Sequence, residues 1–309
     1  MSAGFSDHPV LIVGSMAFDD LELPSGSEKN VVGGSATYAS IAATLYTAAR
    51  VVAVVGDDFP SDTLAQLKAR GIDVSGIERA AGKTFRWAGR YSQNLTSRET
   101  LDTQLNVFAD FRPKLPAEFK QSRVVLLGNI HPALQLEVLA QMEAPELVVA
   151  DTMNFWISGE RKLLLDVLAK VDALVINDEE LRQLSGEHNL KRGALAVLAM
   201  GPKRLVVKRG DAGAMLFDDE AIFFAPAYPL ETEMDPTGAG DTFAGALLGF
   251  LAREETPSRA AWRRALLAAT TVASFCVEGI GTKRLVDLTH QALADRLRDL
   301  MAILSPDES

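Results

Sequence analysis

Asp235-Pro-Thr-Gly-Ala-Gly-Asp241-Thr-Phe-Ala-Gly-Ala-Leu-Leu-Gly-Phe-Leu251 is the stretch that decides how the rest of the chain is read. Asp235 and Pro236 stop what precedes, Gly238 and Gly240 allow a tight turn, and a helical pattern begins at Thr242. The amides of Gly238, Ala239, Gly240 and Asp241 then point out of a helix N-terminus, where unpaired donors and the helix dipole favour a phosphate or a developing oxyanion. Asp241 puts a carboxylate in the same turn, either as a helix cap or as a general base beside a reacting phosphoryl group. The two glycines, and Asp235 six residues earlier, favour the base.

Composition narrows the partner. At 309 residues the chain has room for one large α/β domain or one domain with a small appendage, and is expected to form a single domain over 1–309; 48% hydrophobic and 23% charged residues are those of an ordinary globular protein. A net charge of −10 argues against non-specific binding to nucleic acid or to an anionic membrane, and for a small molecule. If that molecule is a polyanion such as ATP, a divalent cation has to offset its charge. The single cysteine, Cys276, allows no internal disulfide, and the start, Met1 to His8, has neither a basic nor an apolar leader region, so a cytoplasmic location is expected. The apolar run Ala265–Val277 is too short and too rich in Thr and Ser to span a bilayer, and reads as a buried helix. The four histidines stand far apart and match no metal spacing.

Along the chain, short apolar runs alternate with helical patterns. Val10–Val13 reads as a buried strand opening into a loop that holds Asp19 and Asp20, where acids either bind substrate hydroxyls or are simply solvated. Gly33-Gly34 leads into an alanine-rich helix to about Ala49; a strand at Val51–Val55 and a helix to Arg70 follow. Between Lys83 and Phe111 the period changes to two: Phe85, Trp87, Gly89 and Tyr91 share one face, Arg86, Ala88 and Arg90 the other, and a second alternating run covers Thr100–Phe108. This predicts a hairpin that leaves the main sheet as an edge or a lid. Val124–Leu127, Leu147–Ala150, Ala173–Ile176 and Arg204–Val207 read as buried strands, each followed by a polar cluster: Asn129 after Gly128, Asp151 to Asn154, Asn177 to Glu180, and Lys208 to Gly210. Polar groups at successive strand ends argue for one rim where ligands gather.

A Walker A loop is absent, and the Gly238–Gly240 turn lacks the third glycine of the dinucleotide fingerprint. An anion turn holding an acid, polar strand ends and a cover that excludes water suit phosphoryl transfer from ATP to an alcohol.

The same residues carry a resemblance. Asp235-Pro-Thr-Gly-Ala-Gly-Asp241 resembles the C-terminal signature of the ribokinase-like, or phosphofructokinase-B-type, carbohydrate and nucleoside kinases. Gly33-Gly34 before a helix, Val55-Gly-Asp-Asp-Phe59 with the later Gly71–Ile77, and Asn177-x-x-Glu180 match in the same order, so the resemblance covers nearly the whole chain. It implies a three-layer α/β domain with a mostly parallel central sheet and a small β lid from about 18–32 and 83–112. Asp241 is then the base, with Gly238, Ala239 and Gly240 as the anion hole; Asn177 and Glu180 organise Mg²⁺ and the ATP phosphates, largely through water. Asp19, Gly33 and Gly34 fall where the family holds substrate hydroxyls, and Lys208, Gly210, Gly213 and Thr237 at the nucleotide. Asp235, with backbone near Gly279–Gly281, lies where some members bind K⁺. Tyr38 stands where many sugar-phosphorylating members have Asn, and Phe85, Trp87, Asn129 and Asn154 complete the acceptor candidates. The implied partners are ATP and a sugar, a sugar acid or, as the alternative, a nucleoside; a homodimer through the lid is also implied. A ligand-binding protein without catalysis is the reading of a different class.

Overall fold

The protein is described here from a computed structural model covering residues 6–305. The first five residues, on which part of the leader reading rests, lie outside the described residues. In chain order, β1 (Ser6–Val13) is followed by β2 (Ala17–Leu23) and β3 (Gly26–Gly33), helix α1 (Ser35–Ala43), β4 (Thr47–Val55), α2 (Ser61–Ala69) and β5 (Ile72–Arg79). The hairpin β6 (Phe85–Tyr91) and β7 (Arg98–Gln104) comes next, then β8 (Val124–Leu127), α3 (Pro132–Gln141), β9 (Leu147–Asp151), α4 (Asn154–Gly159) and α5 (Arg161–Leu168). The rest is β10 (Ala173–Asn177), α6 (Asp178–Ser185), α7 (Leu190–Leu198), β11 (Arg204–Lys208), β12 (Ala214–Phe217), β13 (Ile222–Ala225), α8 (Ala239–Leu251), α9 (Arg259–Val277), α10 (Lys283–Val286) and α11 (His290–Leu304).

Nine strands form the central sheet in the order β13-β12-β11-β10-β9-β8-β1-β4-β5. Pairing is parallel from β11 to β5 and antiparallel only where β12 and β13 close one edge. Alternate residues of each strand face opposite layers, which is why the strands read as unbroken apolar runs. Val10, Ile12, Val51 and Val149 pack against α1, α8 and α9 on one face; Leu11, Val13, Val148 and Leu174 pack against α3, α5, α6 and α7 on the other. Among the described residues no helix is long and apolar enough to cross a membrane, and the Ala265–Val277 run lies within α9, mostly buried.

The register sets the rim. Asn177 pairs with Lys208, and Asp151 with Val175, so the C-terminal ends of β9, β10 and β11 deliver Asp151, Asn177 and Lys208 side by side. Over that rim stands a second sheet of four strands, β3-β2-β6-β7. It consists of two antiparallel hairpins joined by a parallel pair, β2 with β6, and it matches the expected lid.

Four expectations need correction. Asp19 and Asp20 lie within β2, not in a loop, because β2 pairs on both sides. Helix α1 stops at Ala43: Thr47-Ala-Ala-Arg50 has helical propensity, but pairing with β1 and β5 makes it strand. Helix α8 starts at Ala239, three residues before Thr242, so Asp241 belongs to its first turn. The second lid strand ends at Gln104, since Asn106 takes a positive φ of 49° and donates to Thr84 O, turning the chain into a short 3-10 helix.

Candidate functional site

Gly238 caps α8 in the left-handed region, φ 74°, and a Cβ there would overlap the Tyr38 ring, so the position is closed to other residues on two grounds. Thr242 N–H donates to Gly238 O as the first helical bond, at 2.8 Å, while Ala239 N–H turns back to Pro236 O at 3.2 Å. The anion cradle is therefore narrower than the sequence implied: Ala239's amide is spent. Gly240 is needed for a different reason than its neighbour. A Cβ at Gly240 would stand 2.9 Å from Lys208 Nζ, so the missing side chain lets the ammonium lie against the turn.

Lys208 is a half-buried cation among carboxylates, of which Asp151 and Glu180 are buried. Its Nζ is 3.7 Å from Asp151 Oδ2, across the end of β10. Burial pulls the ammonium down, and the carboxylates of Asp151, Glu180 and Asp241 more than restore it, raising it above the usual lysine range. Asp241 lies beside them. Burial, then the charge of Asp151, pushes its carboxyl up to about 7, against the pull of Lys208 and Arg98.

Asn177 and Glu180 form a reciprocal cap on α6. Asn177 Oδ1 accepts from Glu180 N and Glu180 Oε2 accepts from Asn177 N, both at 2.8 Å. Burial first, and Asp151 with it, raises the Glu180 carboxyl to about 7, while Lys208 opposes. Among the described residues no three acids, histidines or cysteines gather into a direct metal cage. This donor set fits a divalent ion held through water and nucleotide phosphates, toward which Asn177 and the Glu180 oxygen that lies outside the cap could turn.

Asp19, 4% exposed, lies against Gly33, where a Cβ would overlap the carboxylate. Burial, then the charges of Asp235 and Asp241, raises it to about 8. Its neighbour Asp20 instead accepts from Asn30 N at 2.8 Å, a bond internal to the β2–β3 hairpin. Gly34 caps α1 with φ 91°. Tyr38 is 1% exposed with no partner for its hydroxyl, so its ring floors the Gly238 turn. Asp235 is fully buried and accepts from Thr237 N at 2.9 Å and Gly281 N at 3.0 Å, tying the turn to the Gly279–Gly281 loop. Both its oxygens are already satisfied by amides, and a monovalent cation would have to share them. Thr237 also meets the small sheet: its Oγ1 is 2.9 Å from Tyr91 Oη.

The remaining candidates make other contacts. Phe85 stacks on Phe108 at 5.4 Å. Trp87 lies over Gly89 and donates to Thr100 Oγ1 at 3.3 Å. Asn129 Oδ1 accepts from Trp156 Nε1 at 3.0 Å, and exposed Asn154 accepts from the next amide at the start of α4. Gly210 and Gly213 both take positive φ in the turn after β11, where Arg209 N–H donates to Gly213 O. Arg90, on the opposite face of the hairpin strand from Trp87 and Tyr91, is engaged by Glu22 and Glu99 on the surface of the small sheet. Two participants escaped the sequence reading: Asp151 as counter-ion to Lys208, and Arg98, whose guanidinium acts on Asp19, Asp151, Glu180 and Asp241 together.

A three-layer α/β body, an anion turn at a helix start with an acid in it, and a small sheet over the rim define a sugar or nucleoside kinase. The chain matches the pfkB family carbohydrate kinase pattern over residues 10–287, and it belongs to that family. It is 28% identical over 248 residues to the cytidine kinase of Thermococcus kodakarensis, covering 79% of this chain and 87% of that one. It is also 28% identical over 269 residues to the 2-dehydro-3-deoxygluconokinase of Thermoproteus tenax, covering 75% and 76%. The fold resembles that of Arabidopsis thaliana ribokinase, solved with ribose and ATP, at a TM-score of 0.76 and 19% identity over 94% of this chain and 99% of that one.

Proposed function

We propose that this chain transfers the γ-phosphoryl group of ATP to a hydroxyl of a small sugar or sugar acid, with Asp241 as general base. The observation that carries the reading is a half-buried carboxyl in the first turn of α8, raised to about 7 next to the Gly240 amide and the Lys208 ammonium. A base with that affinity for protons is about half ionised at neutral pH, and its ionised form takes a proton from an alcohol as the alcohol oxygen attacks. The acceptor oxygen bonds to the γ-phosphorus while the bond from that phosphorus to the bridging oxygen breaks. The hydroxyl proton passes to Asp241 and ADP leaves.

Charge developing on the phosphoryl oxygens meets the Gly240 amide and Lys208, both in place before reaction. Asp19 would orient the acceptor through ring hydroxyls, and the small sheet, fastened to the turn by Tyr91, would exclude water. Mg²⁺, when bound near Glu180 and Asn177, would neutralise charge on the β- and γ-phosphates.

A nucleoside acceptor is the second reading, favoured by the indole of Trp87 on the covering sheet and by the similarity to a cytidine kinase. The test is an ADP-release screen over ribose, fructose, 2-keto-3-deoxygluconate, adenosine, inosine and cytidine. Turnover on the sugars or the sugar acid supports the first reading; turnover confined to nucleosides replaces it with the second. Binding of Mg·ATP without turnover on any alcohol would instead mark a non-catalytic binder.

A further inference from the structure

Strand β7 is exposed along its whole length, yet its first residue is tied to the site. Arg98 is the cross-strand partner of Tyr91, so the two side chains share one face of the small sheet. Tyr91 is 8% exposed, and its hydroxyl meets Thr237 inside the anion turn, which fixes this corner of the sheet against the residues around Asp241. The Arg98 guanidinium lies 5.7 Å from the centre of the Trp87 ring. Its neighbours on this face, Trp87 and Tyr91, are therefore aromatic, and its charge lowers the proton affinity of four carboxylates without forming an ion pair with any of them.

Those four acids mark out the cleft. Asp19 stands at the acceptor end, Glu180 at the nucleotide end, and Asp151 and Asp241 between them. Arg98 favours the ionised form of all four, and its place beside Tyr91, whose hydroxyl meets Thr237, brings it to this gap from the cover. Lys208 approaches the same gap from beneath Gly240, so the two cations face it from the body and from the cover. What fits between two cations, above an acid that needs a proton acceptor role, is a group of several anionic oxygens.

Resting on the kinase reading, we infer that Arg98 is a phosphoryl-binding residue carried by the small sheet, which grips the oxygens of the γ-phosphoryl group opposite Lys208. The planar guanidinium suits this task because it presents paired donors to two oxygens of one anion, which lysine cannot do. Tyr91 acts as its positioning residue. The same chemistry would also serve a carboxylate on the acceptor itself, and the two sources separate by experiment.

The test is calorimetric titration of Mg·ADP and of Mg·AMPPNP, a non-transferable ATP analogue, into wild type, Arg98→Ala, Arg98→Lys and Tyr91→Phe, with circular dichroism as the check on folding. The expected result is unchanged ADP affinity in Arg98→Ala, with AMPPNP affinity lower by about 10- to 100-fold, the loss of a charge-assisted hydrogen-bond pair. Arg98→Lys should recover part of that loss, and Tyr91→Phe should show a smaller loss with the same preference for ADP. Turnover by Arg98→Ala should fall on neutral acceptors as well as acidic ones. Equal affinity of wild type and Arg98→Ala for both nucleotides would overturn the inference. A loss confined to carboxylate-bearing acceptors would also overturn it, in favour of an acceptor-binding arginine. A wild-type protein that binds neither nucleotide would overturn the kinase reading itself, an outcome visible before any variant is made.

Discussion

The carboxyls of Asp19, Glu180 and Asp241 are raised to about 8, about 7 and about 7, above the range they have in an unfolded chain. Each favours its protonated form in the ligand-free fold, so the stability they contribute is complete below the unfolded carboxylate range and is lost as pH rises through about 7 to 8. Asp19→Asn should therefore melt higher than wild type at about pH 8 and close to it at about pH 4; a lower melting temperature at the alkaline end would show that Asp19 is not held protonated. For activity the sign is reversed, because a base works when ionised: kcat/KM should fall as pH drops below about 7. Asp151→Asn removes the like charge that ranks second in raising Asp241 and frees Lys208 to lower it, so the acid limb should move to lower pH. An unmoved limb would detach Asp151 from Asp241. Asp241 and Asp19 were legible in the sequence because glycines and strand ends flagged their surroundings. Asp151 was not, since its partner Lys208 lies 57 residues on, on the far side of β10, and only sheet order brings them together.

Between elements, the close approach of α8 to α1 depends on Gly245 and Gly249, one helical turn apart. A Cβ on Gly245 would overlap the backbone of Ala39, and one on Gly249 would come 2.8 Å from Ala43 O. The alanines of α1 are equally small, so two helices meet at backbone distance under the anion turn. Gly245→Ala should destabilise by about 1–3 kcal/mol, the range for overpacking a tight core, and calorimetric unfolding measures it. A neutral effect would mean the helices part without strain. The glycine spacing stands in plain view in the sequence, but its partner surface does not. The strands show the same limit: β8 has the boundaries its apolar run announces, because that strand is buried on both faces. Edge strand β5 alternates buried and exposed residues, Ile72-Asp-Val-Ser-Gly-Ile77, and β3 is mostly exposed; neither pattern separates a strand from a loop without its neighbour. The Thr47–Arg50 segment was misread for the opposite reason, local alanine content outweighing a pairing that lies far away in sequence.

The whole molecule is a rim and a cover. Central-sheet strands present Asp151, Asn177 and Lys208 from below, α8 brings Asp241 in from the side, and the small sheet adds Asp19, Tyr91 and Arg98 from above. The family, the layered fold and the anion turn could be read from the chain alone, because short motifs with fixed spacing carry them. Which face of the cover meets the turn could not, because β7 is polar apart from Leu101 and exposed throughout, and no periodicity marks Arg98 as different from Glu99 or Thr100. The central claim is that this assembly removes a proton from an alcohol through Asp241 while phosphate is transferred. It is tested most directly by single-turnover transfer from radiolabelled ATP to the best acceptor of the screen, comparing wild type with Asp241→Asn at saturating nucleotide. The expected result is a loss of about 10²- to 10⁴-fold in transfer with AMPPNP affinity retained, as for removal of a general base. Transfer within a few-fold of wild type by a well-folded Asp241→Asn would contradict the claim and leave Asp241 as part of the helix start alone.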